Sequence, residues 1–474
     1  MPDSYKFGGG TNGSVLHPLV LVAMILAIIL VVALPRRYVV APLIFLAFLT
    51  PQGQQLYIAG VHLFVLRIVV LIAFIRAWAS RSGPEEQRMA GGWNTVDTAF
   101  TICTVTQAVA SVLLFKDVGA VIYQVGYLWD FLLAYYALRI FIRDQQDLRF
   151  SLKCLAVITI PLALGMLVEQ RSMVNYFGQL GGMQSVPEVR EGKIRSQGAF
   201  EHTLMAGVFA GTLAPTFFTL LGSAKTRLMG IVGFVGSSIM MWTTNSSTPM
   251  LAYAAGIFGL LCWPIRKQMR TVRWGIVITL VSLHMVMKAP VWYLIGRVDV
   301  TGSSSGYHRA ELVNQFIVHF WDWWLLGVKD SSAWGLDMWD VQNQYVNVGE
   351  TGGLLAFVFF ILVISRSFGM LGDARKKVDG DKSQEWMVWC LGSAMFATVV
   401  GFFGVNYFDQ SRVWWFILLA MIVAVTAPIL KGETAVVAGN AEEKEFWRPW
   451  EKRPSVEITD EAEGRTRVGK LVRR

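Results

Sequence analysis

Three short stretches of this 474-residue sequence collect the side chains that hold anions and move protons. Residues 195–203 contain Arg195, Glu201 and His202; residues 304–309 form a Gly/Ser-rich loop that ends in His308 and Arg309; residues 340–353 contain Asp340, Gln342, Asn343, Tyr345 and Glu350. A guanidinium is permanently charged and presents a planar fork of donors that matches phosphate oxygens. Arg195 and Arg309 are therefore candidates for an anion clamp, with Arg190 and Lys193 as lesser ones. Glu201, His202, His308, Asp340 and Glu350 can each accept a proton, and a positioned base contributes about 10² to 10⁴ in rate. The sequence does not choose among them, but Glu201 and His202 stand closest to Arg195 along the chain. Structural roles compete with these. His202 could cap a helix, Gln342 and Asn343 could satisfy a helix start, and Glu350 could be an acid favoured in a first helical turn.

Each stretch leads into an apolar or amphipathic segment that would position it. The chain is 54% hydrophobic and 16% charged, with a mean hydropathy of +0.47. Soluble domains carry roughly 25% charged residues, so a soluble globular domain is excluded. The apolar residues fall in blocks, and a bilayer core needs roughly 20 such residues per helix. Spans are expected near 15–34, 38–56, 58–78, 96–115, 119–141, 152–169, 203–222, 227–243, 248–264, 273–290, 351–368, 386–405 and 411–430. The second is the weakest, because Thr50, Pro51, Gln52, Gly53, Gln54 and Gln55 interrupt it. The expected fold class is an all-α polytopic membrane protein with about 12–13 transmembrane helices.

Basic residues crowd every second short loop: Arg36 and Arg37; Arg76, Arg81 and Arg88; Arg139, Arg143 and Arg149; Lys225 and Arg227; Arg266 to Arg273; Arg375 to Lys377. That alternation is the positive-inside pattern, and it accounts for the net charge of +9 without a nucleic-acid partner. It places residues 170–202 and 291–350 on the outer face, within a membrane domain spanning 1–430. The tail 431–474, of mixed charge and without apolar periodicity, is expected to be cytoplasmic and disordered. Arg195 and Arg309 then lie on the side where topology disfavours arginine. From Arg309, the residues Leu312, Val313, Phe316, Ile317, Phe320 and Trp324 recur at helical spacing, which predicts an amphipathic helix along the outer interface.

In this order and spacing the clusters resemble the O-antigen ligase and polymerase family of membrane glycosyltransferases. Arg195, Gly198 and Phe200 match its arginine, glycine and aromatic before a span; Gly306 and Arg309 match its Gly/Ser-rich helix start, and Leu326 and Gly327 its Leu-Gly pair. Asn343, Tyr345, Glu350 and Gly352 match its last motif, in which Gln342 stands where ligases place histidine. Glutamine cannot take a proton, so the resemblance points to a polymerase, with a ligase that transfers glycan to lipid A core as the alternative. It implies an undecaprenyl-diphosphate-linked glycan donor, a glycan acceptor, surrounding membrane lipid and a chain-length regulator as partners, in a bacterial inner membrane with the site facing the periplasm. Neither a cofactor nor a metal is expected, since no outer loop holds an Asp-x-Asp motif. From another class, a transporter or flippase of lipid-linked glycans would bury ionisable groups in mid-span; apart from Arg67 and Asp130 these spans are nearly free of them.

Overall fold

The computed structural model describes residues 13–58, 61–79, 88–297 and 306–432. Helices account for nearly all of it: α1 (Pro18–Ala33), α2 (Val40–Leu49), α3 (Val65–Ala79), α4 (Thr95–Phe115), α5 (Val118–Leu128), α6 (Ala134–Phe141), α7 (Gln145–Ser172), α8 (Thr203–Leu213), α9 (Ala224–Thr243), α10 (Ser247–Leu261), α11 (Met269–Val286), α12 (Gly306–Val318), the single turn α13 (Phe320–Trp323), α14 (Gln344–Lys377), α15 (Lys382–Gly401) and α16 (Asp409–Lys431). Two antiparallel hairpins complete it, β1 (Gln55–Ile58) with β2 (Val61–Phe64) and β3 (Glu188–Arg190) with β4 (Lys193–Arg195).

Six helical segments are long and apolar enough to cross a bilayer: Thr95–Phe115, Val118–Phe141, Gln145–Ser172, Thr203–Leu220, Gln344–Lys377 and Asp409–Lys431. A seventh arises if α10 and the helical stretch Trp263–Val286, bent by 78° at Cys262, are one broken span. The chain is thus a mostly helical, multi-pass membrane protein. The difference from thirteen predicted spans has local causes. At 16, 10 and 15 residues, α1, α2 and α3 are short for a bilayer. The interruption at 50–55 ends α2 at Leu49, and Gln55–Ile58 and Val61–Phe64, assigned in part to spans by their hydropathy, pair as β1 and β2 instead. The tail beyond Gly432, expected to be disordered, lies outside the described residues.

At the centre stands α16, buried from Trp414 through Ala427. It is wrapped by α2, α6, α7, α8, α14 and α15, and around this centre small residues on α9 and α10 let neighbouring segments approach. A Cβ on Gly233 would fall 2.4 Å from the Phe217 ring, and one on Gly256 would fall 2.5 Å from Pro215. Packing of this kind, rather than a hydrophobic driving force, holds helices together in lipid. Within the bundle, Arg67 grips Asp130 through two 2.7 Å bonds.

Two glycines lock α14 to the segment before it. The helix breaks at Gly353, whose φ is +70° and where a Cβ would lie 2.5 Å from the Leu325 carbonyl oxygen. Opposite, Gly327 has φ +87°, and a Cβ there would meet the Glu350 carbonyl oxygen at 2.0 Å. Any other residue at either place would force the two backbones apart. The amphipathic segment predicted from Arg309 is present as α12 and α13. Leu312 and Phe316 are buried, and Trp323 stacks on Phe316 at 3.9 Å, while Trp321 is exposed.

Candidate active site

The end of the bundle formed by the start of α8, the start of α14 and the start of α16 carries the sequence-predicted residues. Its frame begins with α7. The Glu169 carboxylate accepts from the backbone N–H of Gln197 at 3.1 Å and of Gly198 at 2.9 Å. Gly198 sits at φ +60° over Met166. Phe200 is fully buried between Phe48 and Phe209. Of the motif Arg195, Gly198 and Phe200, the glycine and the aromatic therefore shape the loop, and Arg195 is left for chemistry.

Arg195 ends the β3–β4 hairpin. Its two turn residues, Glu191 (φ +52°) and Gly192 (φ +73°), are both left-handed, as a two-residue turn of matching twist requires. The register sets Glu188 directly across from Arg195, and both Glu188 carboxylate oxygens lie 2.9 Å from Arg195 Nη1. Arg195 is 5% exposed, and its Nε has no hydrogen-bond partner among the described residues. Burial lowers its proton affinity, while Glu188 works against that shift.

Arg309, on α12, is the third guanidinium of a group with Arg190 and Arg195. It is 8% exposed, and its buried Nε has no partner among the described residues. Burial pushes its pKa down to about 10, the two other arginines push the same way, and Asp340 opposes them. Two buried guanidiniums, with the exposed Arg190 of β3 beside them, thus face two carboxylates, Glu188 and Asp340, and only Arg195 is hydrogen-bonded to one of these among the described residues. A buried charge without a partner is costly, and an arriving polyanion would relieve that cost.

The remaining predicted residues divide. His308 Nε2 donates to the Asp340 carbonyl at 3.0 Å, and Gln342 Nε2 donates to Asp340 Oδ2 at 2.5 Å, so both brace the carboxylate that faces Arg309. His202 is the N-cap of α8: Nδ1 accepts from Leu204 N at 3.1 Å, and Nε2 stands 4.0 Å from Glu188. Its pKa is lowered, first by burial. Asn343 is fully buried and caps α14, accepting from Tyr345 N and Val346 N and donating to the Phe403 carbonyl. The Tyr345 hydroxyl donates to the Val399 carbonyl at 3.0 Å. These two, matched to the motif as binders, have polar atoms engaged with backbone. Glu350 is buried beside Ser331 and Asp330, and among the described residues its Oε1 is unpartnered and it makes no hydrogen bond to the guanidiniums.

Glu201 is exposed and meets Asp409, the first residue of α16. The Asp409 hydrogen bond pushes its pKa up to about 8, and desolvation adds to the shift. Asp409 has φ +46°, and Arg412 stands 3.7 Å from its Oδ1. Sequence reasoning missed Glu188, Asp409 and Arg412. The Glu191-Gly192 dipeptide between two short β-prone runs was a hairpin signal for the first; nothing local marks the other two, which lie more than 200 residues from Arg195. Comparisons with protein-family models and with curated proteins find no match to this chain.

Proposed function

We propose that the chain is an inner-membrane glycosyltransferase that polymerises undecaprenyl-diphosphate-linked oligosaccharide units into O-antigen or exopolysaccharide at the periplasmic face. The observation that carries this reading is the buried pair Arg195 and Arg309, each with an Nε that has no partner among the described residues, with the exposed Arg190 beside it. A glycosyl diphosphate leaves with charge building on its phosphate oxygens, and fixed donors aimed at such a site act strongly where water is scarce. The apolar helices suit a donor that remains in the bilayer, and the site lies at one end of the bundle, where a lipid headgroup would sit.

In this reading Arg309 and Arg195 clamp the diphosphate, Arg190 adds charge, and Asp340, held by Gln342 and His308, orients Arg309. The acceptor hydroxyl attacks the anomeric carbon, the carbon–phosphate oxygen bond breaks, and the electron pair leaves with the diphosphate. Gln342 positions groups and takes no proton, which agrees better with chain extension than with a ligase built around histidine.

The test is reconstitution. Purified protein in vesicles should lengthen lipid-linked repeat units, isolated from cells lacking the chain, into a ladder on gels. Attachment of preformed glycan to lipid A core without polymer would show a ligase. Movement of the lipid-linked unit across the vesicle wall without new glycosidic bonds would show a transporter.

A further inference from the structure

We infer that Glu201 is the group that takes the acceptor proton and that Asp409 is its positioning residue, holding the Glu201 carboxyl. The inference rests on the glycosyl-transfer reading above and deepens it.

Geometry narrows the five candidate bases. His202 has Nδ1 occupied by the α8 cap, so in its neutral form the proton sits on Nε2 and no lone pair is free. His308 donates Nε2 to the Asp340 carbonyl, which leaves Nδ1 of a half-buried ring as its basic atom, and the Asp340 carboxylate is engaged by Gln342 and faces Arg309. Glu350 keeps company with Ser331 and Asp330. Glu201 alone of the five is exposed, adjoins the arginine group through its neighbour His202, and has a second carboxyl against it.

The meeting of Glu201 with Asp409 is built in by the backbone. Gln410, fully buried, donates to the Ala199 carbonyl at 2.8 Å, which ties the first turn of α16 to the loop that presents Glu201. Asp409 takes a left-handed conformation to start that helix, one that Asp and Asn accept more readily than other side chains. Its Oδ2 is buried with no donor in reach among the described residues. Arg412, on the same helix, stands against Oδ1 and over the Phe131 ring at 5.3 Å. The charged and titratable groups at the pair are thus Arg412 from α16 and, next to Glu201 in the chain, His202, whose Nε2 stands 4.0 Å from Glu188 of the hairpin.

The step balances without a co-reactant. The acceptor O–H bond breaks, and its proton moves to the ionised Glu201 carboxylate. The oxygen bonds to the anomeric carbon, and the bond to the diphosphate breaks with its electrons. Protonated Glu201 is then held by the hydrogen bond to Asp409 until water removes the proton. Because the base form is the ionised one and Asp409 raises the pH at which it appears, activity should climb as pH rises through about 8.

The experiment compares the wild type with Asp409→Asn, which keeps the shape and tolerates the same backbone, using lipid-linked repeat units in vesicles. The variant should accumulate normally, lose about tenfold to a hundredfold in kcat, and show its rise at a lower pH. Infrared difference spectra against Glu201→Gln give a readout independent of turnover. The wild type should show a protonated carboxyl band whose midpoint lies near pH 8, and Asp409→Asn should move that midpoint down. An unchanged pH profile and band in Asp409→Asn overturns the inference, as does full activity in Glu201→Gln. If the wild type makes no glycosidic bond while the band still shifts, the carboxyl pair stands, but the glycosyl-transfer reading and the base role fall together.

Discussion

The two ends of the helical bundle treat arginine in opposite ways. At the end where α4 begins and α6 finishes, Arg139 and Asp97 are both completely buried and joined by two bonds of 3.0 and 3.1 Å, with the Tyr135 hydroxyl donating to the same carboxylate at 2.6 Å. Nearby, Arg36 and Arg37 converge on Asp147, and Arg266 and Arg375 converge on Glu385. At the other end Arg195 is held by Glu188, but Arg309 is buried with no hydrogen bond to a carboxylate among the described residues; a guanidinium nitrogen without a partner among those residues occurs at both ends, on Arg139 (Nη1), Arg195 (Nε) and Arg309 (Nε). The difference therefore rests on Arg309, a buried cation without a bonded carboxylate among the described residues, set against Arg139, which is bonded to one.

The strongest way to break that contrast is to remove one cation from each end. Arg139→Met strands Asp97 in the interior, at a cost of about 3–5 kcal/mol, so the protein should fail to accumulate in membranes. Arg309→Met removes a charge that had no partner, so accumulation and Tm should be unchanged or improved while activity disappears; loss of the fold in both would erase the distinction. Next in size, Arg309→Lys retains charge and loses the fork, and polymer formation should fall about a hundredfold, nearly as far as in Arg309→Ala. Recovery of most activity with lysine would mean that a point charge suffices. A smaller effect is expected from Asn343→Ala, which removes the α14 cap and should cost about 1 kcal/mol in Tm-derived stability with kcat nearly intact. Smallest of all, Glu188→Gln frees Arg195 from its internal carboxylate, and inorganic pyrophosphate should inhibit a few-fold more tightly at low salt. Weaker inhibition would show that Glu188 orients Arg195 rather than competing for it.

Legibility in the sequence followed the kind of interaction involved. Long apolar blocks announced α4, α7, α14 and α16, because lipid demands unbroken helices there, and the 3–4 spacing from Arg309 announced α12. Residues 50–64 misled, since hydropathy cannot distinguish an apolar β1–β2 hairpin from a span end. In the site, Arg195 and Arg309 stood out because cations on that face break the charge alternation. Asn343 and Tyr345 stood out for a motif in which they serve as cap and backbone tie. Asp409 gave no sign, because its importance comes from a contact made across 208 positions with Glu201, and only packing brings those together.

The β3–β4 hairpin also carries a rule about length. With only Glu191 and Gly192 between its strands, Glu188 and Arg195 oppose each other by residue count alone. Inserting or deleting a single residue between them would turn one of the two side chains to the other face of the ribbon. Most surface loops vary in length across evolution at little cost. This one is a ruler: substitutions at its tip should be absorbed, whereas any odd change in its length should silence the site.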